Sequence, residues 1–314
     1  MAGVLSCGAV EVHPSINPAV VGDTVTLSLS PPTSLQSGSW VIGDTLILTW
    51  LGDQEAVFPS HSGRASVNGL TGALTLSSVT VADSGVYIVK SSDPQLKANA
   101  SITVVERISN VTLQANHTNL MELHSSAVVR CSVSSGSSLS FLWMNGSSEV
   151  TASDSVQLSD GNSTFTIVNV TRYDQGPFRC HVSNPVSNGT SDPVNFTISY
   201  GPDYMALTVN GQNTTSFSIG SNLTVACSAQ SNPPAQLQWA FRGELVNTTG
   251  PLLELLGVRE DHSGPYSCLA FNNHTNMNSS ITTHIIIAKS LSGSEQQAVK
   301  MWFLPLLLLV RSFF

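Results

Sequence analysis

Short stretches in which apolar and polar residues alternate recur along the chain, and almost none of them has helical spacing. In Gly22–Leu29, the apolar residues Val25, Leu27 and Leu29 are separated by single polar residues. A period of two places every second side chain on one face, which predicts a half-buried β-strand. Clusters of Gly, Pro, Asn and Ser between such stretches are typical of turns. The pattern therefore predicts an all-β protein.

One short motif occurs three times and divides the chain. An acidic residue is followed by Gly and an aromatic residue, and in the second and third copies a Cys comes two residues after the aromatic one. This motif is typical of the corner that leads into strand F of an immunoglobulin sandwich, a fold of about 100 residues. The copies recur about every 90 residues, which predicts three tandem immunoglobulin-like β-sandwich domains. They are Asp83–Val89, Asp174–Cys180 and Asp261–Cys268.

The repeats also set the expected domain boundaries. The links Glu106–Arg107 and Tyr200–Asp203 are short, and Pro202 stiffens the second. The first domain is expected to be of variable or intermediate type, the second of constant or intermediate type and the third of constant type. The segments are a signal-peptide remnant at 1–9, domains at 10–105, 106–200 and 201–288, and a polar spacer with an apolar tail at 289–314.

Four of the five cysteines take the strand-B and strand-F positions of two domains. Cys131 is expected to bond to Cys180, and Cys227 to Cys268. Each disulfide would join the two sheets of a sandwich and stabilise it by about 4 kcal/mol in the chain-entropy model. Such cysteine usage indicates an oxidising compartment.

The first domain has Leu29 and Val89 at those two positions, so it is expected to lack the inter-sheet disulfide. An apolar contact between these residues would partly offset the missing bridge. Trp50 is expected to be the core tryptophan of strand C, like the single tryptophan between the cysteines of each later domain. Arg64 and Asp83 either form an ion pair across the base of the sandwich or are both solvated.

The third copy of the corner motif departs from the other two. His262 takes the place of the corner acid, and Asp261 comes one residue early. Either the corner is shifted by one residue or His262 is tolerated there. Most single histidines in turns are surface residues, which argues against a pH switch at this position.

Both ends of the chain carry targeting-like segments. Residues 1–9 are either the remnant of a signal peptide, with Cys7 absent from the mature protein, or a genuine cytosolic start. The apolar stretch Met301–Val310 is shorter than the roughly 20 residues that span a bilayer. Ser290 and Ser292 are candidate attachment sites for a glycolipid anchor, and a truncated transmembrane end or a secreted form is the alternative.

Acceptor triplets for N-linked sugars are the densest functional signal. The chain has thirteen, where chance would give about five, which indicates a heavily glycosylated surface protein. Only one of these triplets lies in the first domain, near its final strand. The first domain is therefore expected to carry few sugars. The acceptors are Asn99, Asn110, Asn116, Asn145, Asn162, Asn169, Asn188, Asn195, Asn213, Asn222, Asn247, Asn273 and Asn278.

The bare first domain has a candidate protein-binding face. If Trp50 and Tyr87 point inward, alternation turns five of their neighbours outward, and apolar residues on a glycan-free face are typical of a binding patch. Alternatively, loops or a partner domain cover these residues, or they are ordinary strand formers on a half-exposed face. The five residues are Ile47, Thr49, Leu51, Ile88 and Lys90.

Five short stretches carry a resemblance to a known family. They are Ser62–Arg64, Asn169–Arg172, Asn184–Ser187, Tyr200–Asp203 and Ser231–Gln236. Together with the first domain's missing disulfide, they resemble the carcinoembryonic-antigen-related cell-adhesion molecules over nearly all of residues 11–288. The resemblance implies a variable-type first domain that adheres through its GFC sheet to like or related molecules, and in some members to microbes, followed by bridged constant-type domains.

One departure from that family concerns the first domain. Only 14 residues separate Trp50 from Arg64, which is too few for the strands C′ and C″ of the family's adhesive face. The domain is therefore expected to be closer to the intermediate type.

Composition argues against other classes of function. The net charge of −8 is spread along the 314 residues, without the basic patch of a nucleic-acid-binding protein. The chain has no phosphate-binding glycine loop, no paired-histidine metal motif and no nucleophile arrangement, so neither enzymatic activity nor a cofactor is expected.

We therefore expect a cell-adhesion glycoprotein at the extracellular face of the plasma membrane. Its partners would be proteins, either like molecules or family members, and it would be held by a C-terminal anchor or secreted. An immune receptor subunit or a soluble decoy for a host or microbial ligand is the alternative, and a purely structural spacer is a third hypothesis.

Overall fold

The computed structural model describes residues 10–289, which form tandem immunoglobulin-like sandwiches built almost entirely from β-strands. The predicted fold class is confirmed. The described residues divide into two compact units. The first contains residues 10–118, 126–168 and 175–196, and the second contains residues 119–125, 169–174 and 197–289.

The first sandwich lies in the first unit. Its strands are β1 (Glu11–Pro14), β2 (Ala19–Val20), β3 (Val25–Ser30), β4 (Ser37–Ile42), β5 (Thr45–Leu51), β6 (Gln54–Val57), β7 (Ala65–Val67), β8 (Leu74–Leu76), β9 (Gly85–Ser92), β10 (Gln95–Ile102) and β11 (Val104–Val105). One sheet has the strand order β1-β3-β8-β7, the other has the order β10-β9-β4-β5-β6, and β2 pairs with β11 in parallel. Single 3₁₀ turns lie at Pro59–His61 and Val81–Asp83.

Burial in the first sandwich follows the predicted alternation. Val25, Leu27 and Leu29 of β3 are buried, and Val89 is buried on the facing sheet. Leu29 and Val89 belong to one apolar core, at the two positions where the later sandwiches have cysteines. Each buried aliphatic side chain contributes about 1.5–3 kcal/mol, so this core partly offsets the missing bridge.

The core tryptophan of strand C in the first sandwich is Trp40 instead of Trp50. Trp40 on β4 is fully buried and lies opposite Val89, and its indole N–H donates to the carbonyl of Gly72 at 2.8 Å. Trp50 is also buried but lies one strand further out, on β5. The prediction for Trp50 is wrong because alternation marks a buried face without telling neighbouring strands of the same sheet apart.

This shift by one strand changes the domain type. Between Trp40 and Arg64 the chain forms β5 and β6, which extend the sheet as strands C′ and C″. A sandwich with both strands is of the variable type. The expected intermediate type is therefore wrong, because that expectation counted residues from Trp50.

The chain continues with nine strands. They are β12 (Thr112–Ala115), β13 (Asn119–Met121), β14 (Ala127–Ser132), β15 (Ser140–Asn145), β16 (Ser148–Glu149), β17 (Val156–Ser159), β18 (Thr164–Ile167), β19 (Phe178–Asn184) and β20 (Ser187–Thr190). All except β13 belong to the first unit, in sheets of order β12-β14-β18-β17 and β16-β15-β19-β20. A disulfide joins Cys131 to Cys180 with their Cα atoms 6.3 Å apart, and Trp143 lies opposite Cys180.

The second unit contains the third sandwich. Its further strands are β21 (Thr197–Val209), β22 (Ser216–Ser218), β23 (Leu223–Asn232), β24 (Gln236–Phe241), β25 (Glu244–Thr249), β26 (Leu252–Leu255), β27 (Gly264–Asn272) and β28 (Met277–Ala288), with a 3₁₀ turn at Glu260–His262. The sheets have the orders β13-β21-β23-β26 and β22-β28-β27-β24-β25. A disulfide joins Cys227 to Cys268, and Trp239 lies opposite Cys268.

β21 is one continuous strand of 13 residues. Its start pairs in parallel with β13, and it also pairs antiparallel with β23, with register shifts between Tyr200 and Ala206. Gly201 has a φ of +69°, and a Cβ there would clash with the carbonyl oxygen of Gln230, so the position requires glycine. The predicted link Tyr200–Asp203 therefore lies inside a strand.

Several expectations concern the chain ends, outside the described residues. These are the signal-peptide remnant with Cys7, the candidate anchor sites Ser290 and Ser292, and the apolar tail. Within residues 10–289, no helix has the length and apolar character needed to cross a membrane.

Candidate binding face of the first sandwich

The candidate face is the outer surface of the sheet β10-β9-β4-β5-β6, and a β-bulge decides which residues reach it. Trp40 lies opposite Leu48, but the next pair joins Val41 to Leu46. Ile47 is the extra residue of this bulge, and its side chain is fully buried. The prediction that Ile47 points outward is wrong, because a bulge interrupts strict alternation. Leu46, half-buried, takes the outward place.

The outward side chains form rows across the strands. Their registers follow from the four strand pairings of this sheet. A largely apolar row contains Asn99, Ile88, Val41 and Leu46. The middle row contains Lys97, Lys90, Ser39, Thr49 and Ala56. A third row at the edge contains Ser37, Leu51 and Gln54.

Four of the five predicted residues lie on this outer face. Leu51 is 71% exposed, and Lys90 is also exposed. Thr49 and Ile88 are half-buried between their neighbours. The sequence interpretation missed Val41 and Leu46. Their outward orientation follows only once β4 is identified as strand C and the bulge in β5 is known.

Two lysines face each other in the middle row. Lys90 on β9 lies directly opposite Lys97 on β10, and both are exposed. Among the described residues, neither ammonium group takes part in an ion pair. Like charges in directly opposed positions repel each other. The face therefore carries two positive charges that an acidic surface could neutralise.

Asn99 lies in the apolar row, directly opposite Ile88, and is exposed. Its triplet Asn99–Ser101 is the acceptor predicted near the last strand of the first domain. A sugar on Asn99 would project from the outer face itself, at its β10 side. The surface left open to a partner is then the β4-β5-β6 side, with Leu46 and Leu51.

An ion pair closes the base of this sandwich. Both guanidinium NH₂ groups of Arg64 donate to the Asp83 carboxylate, at 2.8 and 2.9 Å. Of the two interpretations for these residues, the pair is confirmed. Asp83 also accepts from the backbone N–H of Thr80 at 2.7 Å, and its carbonyl accepts from the Tyr87 hydroxyl at 2.7 Å. Arg64, Thr80 and Tyr87 therefore all donate hydrogen bonds to Asp83 and fix the conformation of the corner.

These contacts shift the pKa values of the corner groups. Burial opposes the charged form of Asp83, but hydrogen bonds from Arg64 and Thr80 outweigh it and lower the pKa of Asp83 to about 2. Burial lowers the pKa of His61, whose Nε2 lies 3.5 Å from an Asp83 oxygen. Burial also raises the pKa of the Tyr87 hydroxyl. A charged carboxylate and a neutral imidazole are therefore the favoured forms near neutral pH.

The corner of the third sandwich is not shifted. Nδ1 of His262 accepts from the backbone N–H of Arg259 at 3.3 Å, the position that Asp83 takes toward Thr80. The Tyr266 hydroxyl donates to the carbonyl of His262 at 2.9 Å. Asp261 instead pairs with Arg259 on the exposed surface. Of the two interpretations, tolerance of a histidine at the corner is confirmed.

A second charged cluster, in the second unit, was missed by sequence reasoning. Arg172 donates to Glu122 at 2.6 Å and to Asp203 at 2.5 Å, and its guanidinium lies 4.1 Å from the centre of the Tyr200 ring. These hydrogen bonds raise the pKa of Arg172 and lower that of Glu122. The only signal in the sequence was that Arg172 and Asp203 fall in two of the family-like stretches.

The acceptor asparagines lie mostly on the surface of the described residues. Twelve of the thirteen are exposed, and Asn145 is half-buried. One of the twelve, Asn99, belongs to the first sandwich.

Two parts of the chain match known domain families. Residues 107–184 and residues 206–287 each match a family described as an immunoglobulin domain. With the fold described above, these matches show that the chain belongs to the immunoglobulin superfamily.

The chain is also similar in sequence to individual cell adhesion molecules. The chain is 28% identical to the cell adhesion molecule CEACAM16 of Rattus norvegicus, over 87% of this chain and 68% of the relative. It is also 28% identical to the CEACAM16 of Mus musculus, over 87% and 67%. The predicted resemblance to carcinoembryonic-antigen-related cell-adhesion molecules is confirmed.

A solved structure shares the fold alone. The I-band fragment I67–I69 from titin is 16% identical, with a TM-score of 0.51 over 88% of this chain and 98% of that fragment. Such a likeness gives the architecture and says nothing about partners.

Proposed function

We propose that this chain is a cell-surface glycoprotein that mediates cell–cell adhesion or recognition through the outer face of the first sandwich's five-stranded sheet, a binding role and not a catalytic one. The observation that carries the proposal is the outer face itself, where an apolar row lies beside two unneutralised lysines and an exposed Leu51. Protein interfaces commonly combine apolar contact residues with polar and charged ones. The relatives' names describe cell adhesion molecules, which supports the same role here.

The chemistry of the face suits a protein partner whose surface combines apolar residues with nearby carboxylates. A second copy of this chain offers such carboxylates. Asp44, in the turn between β4 and β5, and Asp53, in the turn between β5 and β6, are both exposed at the ends of this sheet. In a self-associated pair, these carboxylates are the groups that would neutralise lysines of the other copy, and complementary charges favour orientation and association rate.

The distribution of acceptor asparagines supports the first sandwich as the binding part. Twelve of the thirteen triplets follow it in the chain, and Asn99 lies at the β10 side of the face. Sugars on the later domains would make them a solvated spacer. Binding would then concentrate on the β4-β5-β6 side of the sheet.

Bead aggregation by the full chain tests this role. Leu46→Asp and Leu51→Asp place a charge on the open side of the face and are expected to abolish aggregation, and Ile88→Asp is expected to weaken it. Ser28→Asp, on the exposed side of β3 in the other sheet, is the matched control and should aggregate like the parent chain. Equal aggregation by all four variants would contradict the proposed face.

Membrane attachment is a separate part of the proposal. We infer attachment to the extracellular face of the plasma membrane through the segment after residue 289, with Ser290 or Ser292 as the glycolipid site. A phospholipase that cleaves glycolipid anchors should release the displayed chain from cells. Retention after treatment would favour a transmembrane end, and recovery in the medium without treatment would favour a secreted form.

A further inference from the structure

The third sandwich carries an open groove of about 1170 Å³ on the outer face of β24, β25, β27 and β28. Pockets for small molecules typically measure about 300–1,000 Å³, so the groove has room for a ligand of several rings. Its lining side chains, all among the described residues, are uncharged. Leu269 and Phe271 provide apolar surface, and the exposed amides of Gln236 and Gln238 provide hydrogen-bond donors and acceptors.

One lining residue is itself a sugar acceptor. Asn278 on β28 lies directly opposite Phe271 on β27, and both side chains point outward. Side chains in such opposed positions have Cβ atoms about 4.5–5.5 Å apart. Phe271 is 40% exposed, which leaves part of its ring uncovered beside the acceptor amide. The first sugar on Asn278 would therefore begin next to this ring.

We propose that the groove binds the chain's own Asn278-linked glycan. The first N-acetylglucosamine units lay their C–H faces on Phe271 and Leu269, while Gln236 and Gln238 hydrogen-bond to their hydroxyl and acetamide groups. A neutral sugar core suits an uncharged groove, and covering the ring removes apolar surface from water. This inference rests on the glycosylation included in the proposed function, but it does not depend on adhesion by the first sandwich.

The second sandwich contains a natural comparison for this pair. Asn188 on β20 lies opposite Ser183 on β19, three residues after Cys180, just as Phe271 lies three residues after Cys268. Both asparagines are exposed acceptors at the same place in their sheets. The residue opposite the acceptor is a hydroxyl at one site and an aromatic ring at the other, and His181 stands where the third sandwich has Leu269.

Site-resolved deglycosylation of the native full chain tests the proposal. The chain is made in secretory cells, treated with peptide-N-glycosidase F without denaturation, and sampled over time by glycopeptide mass spectrometry. Release at Asn278 is expected to be about two- to tenfold slower than at Asn188, as a ring contact of ordinary strength implies. Phe271→Ser should raise the rate at Asn278 toward that at Asn188, and Ser183→Phe should lower the rate at Asn188.

Thermal unfolding gives a second readout. Asn278→Gln should lower the unfolding temperature when Phe271 is present and lower it less in a Phe271→Ser background, because the sugar then has no ring to cover. Equal release rates at the two sites in a folded chain, or an Asn278 that carries no sugar, would overturn the proposal. Neither result bears on bead aggregation, so failure of this inference and failure of the adhesive role remain distinguishable.

Discussion

Lys90 and Lys97 lie directly opposite each other on the outer face of the first sandwich, with no acidic partner among the described residues. Replacing one of them by an acid should therefore stabilise the sheet and weaken binding at the same time. Lys97→Glu converts a repulsive pair into an attractive one, worth about 0.2–1 kcal/mol. We expect a slightly higher unfolding temperature together with reduced bead aggregation.

Gln95→Glu is the matched control for that change. Gln95 is exposed on the same strand but lies opposite Ser92, so the substitution adds the same charge without a lysine across from it. It should leave stability nearly unchanged. A Lys97→Glu variant that is less stable than the parent chain would contradict repulsion between the two lysines. A variant that aggregates to the same extent as the parent chain would contradict their part in binding.

The corner pair Arg64–Asp83 should make the first sandwich sensitive to strong acid. The pKa of Asp83 is about 2 in the folded chain against 3.8 for the free group. Because the folded pKa is the lower one, the contribution of this carboxylate is complete above about pH 4 and is lost as the pH falls toward 2. The difference corresponds to about 2 kcal/mol, since Asp83 is buried.

Hydrogen exchange of the β9 amides between pH 2 and 7 measures this loss locally. Asp83→Asn should lower protection near neutral pH and flatten its dependence on acid, whereas Asp44→Asn, at an exposed turn, should follow the parent chain. An unchanged acid profile for Asp83→Asn would show that other carboxylates cause the loss.

The first sandwich should accept the disulfide that it lacks. Leu29 lies opposite Val12 as Cys131 lies opposite Leu113, and Val89 lies opposite Trp40 as Cys180 lies opposite Trp143. We therefore expect Leu29→Cys with Val89→Cys to form a bridge and to stabilise the domain by about 2–4 kcal/mol relative to either single variant. Thiol titration and thermal unfolding check this. A double variant with two free thiols would mean that the two strands have a different spacing here.

Arg172 should matter more for stability than the exposed ion pair at the third corner. Removing Arg172 leaves Glu122 and Asp203 without their shared cation. We expect Arg172→Ala to cost about 2–3 kcal/mol, less than for a fully buried pair because Asp203 is partly exposed. Arg259→Ala, which removes a surface pair with Asp261, should have little effect. Denaturant unfolding compares the two, and equal costs would contradict the stabilising role of the cluster.

The parts of the fold that repeat in the sequence could be predicted. The corner motif and the cysteine pairs recur at similar intervals, and they identified the strand-B and strand-F positions, including Leu29 and Val89. The position of Trp40 was also available, because it follows Leu29 by 11 residues, whereas Trp143 and Trp239 follow their first cysteines by 12. Trp50 follows the apolar stretch Leu46–Leu48, which also predicts a strand.

Other features depend on tertiary structure. The bulge that buries Ile47 is set by how β4 and β5 pair, and no local pattern marks it. Arg172, Glu122 and Asp203 are far apart in sequence and meet only when β21 pairs with β13 and β23. The outward face could therefore be located only approximately, and the charged cluster could not be found.

The continuous strand β21 has a mechanical consequence. Tension applied along β21 acts parallel to the strand, so its backbone hydrogen bonds to β23 are loaded in shear and resist together instead of opening one at a time. The parallel pairing with β13 adds a second ladder at one end of the same strand. Tension along this strand would therefore load backbone hydrogen bonds inside a sheet from the start, because β21 contains no unpaired linker that must first be extended.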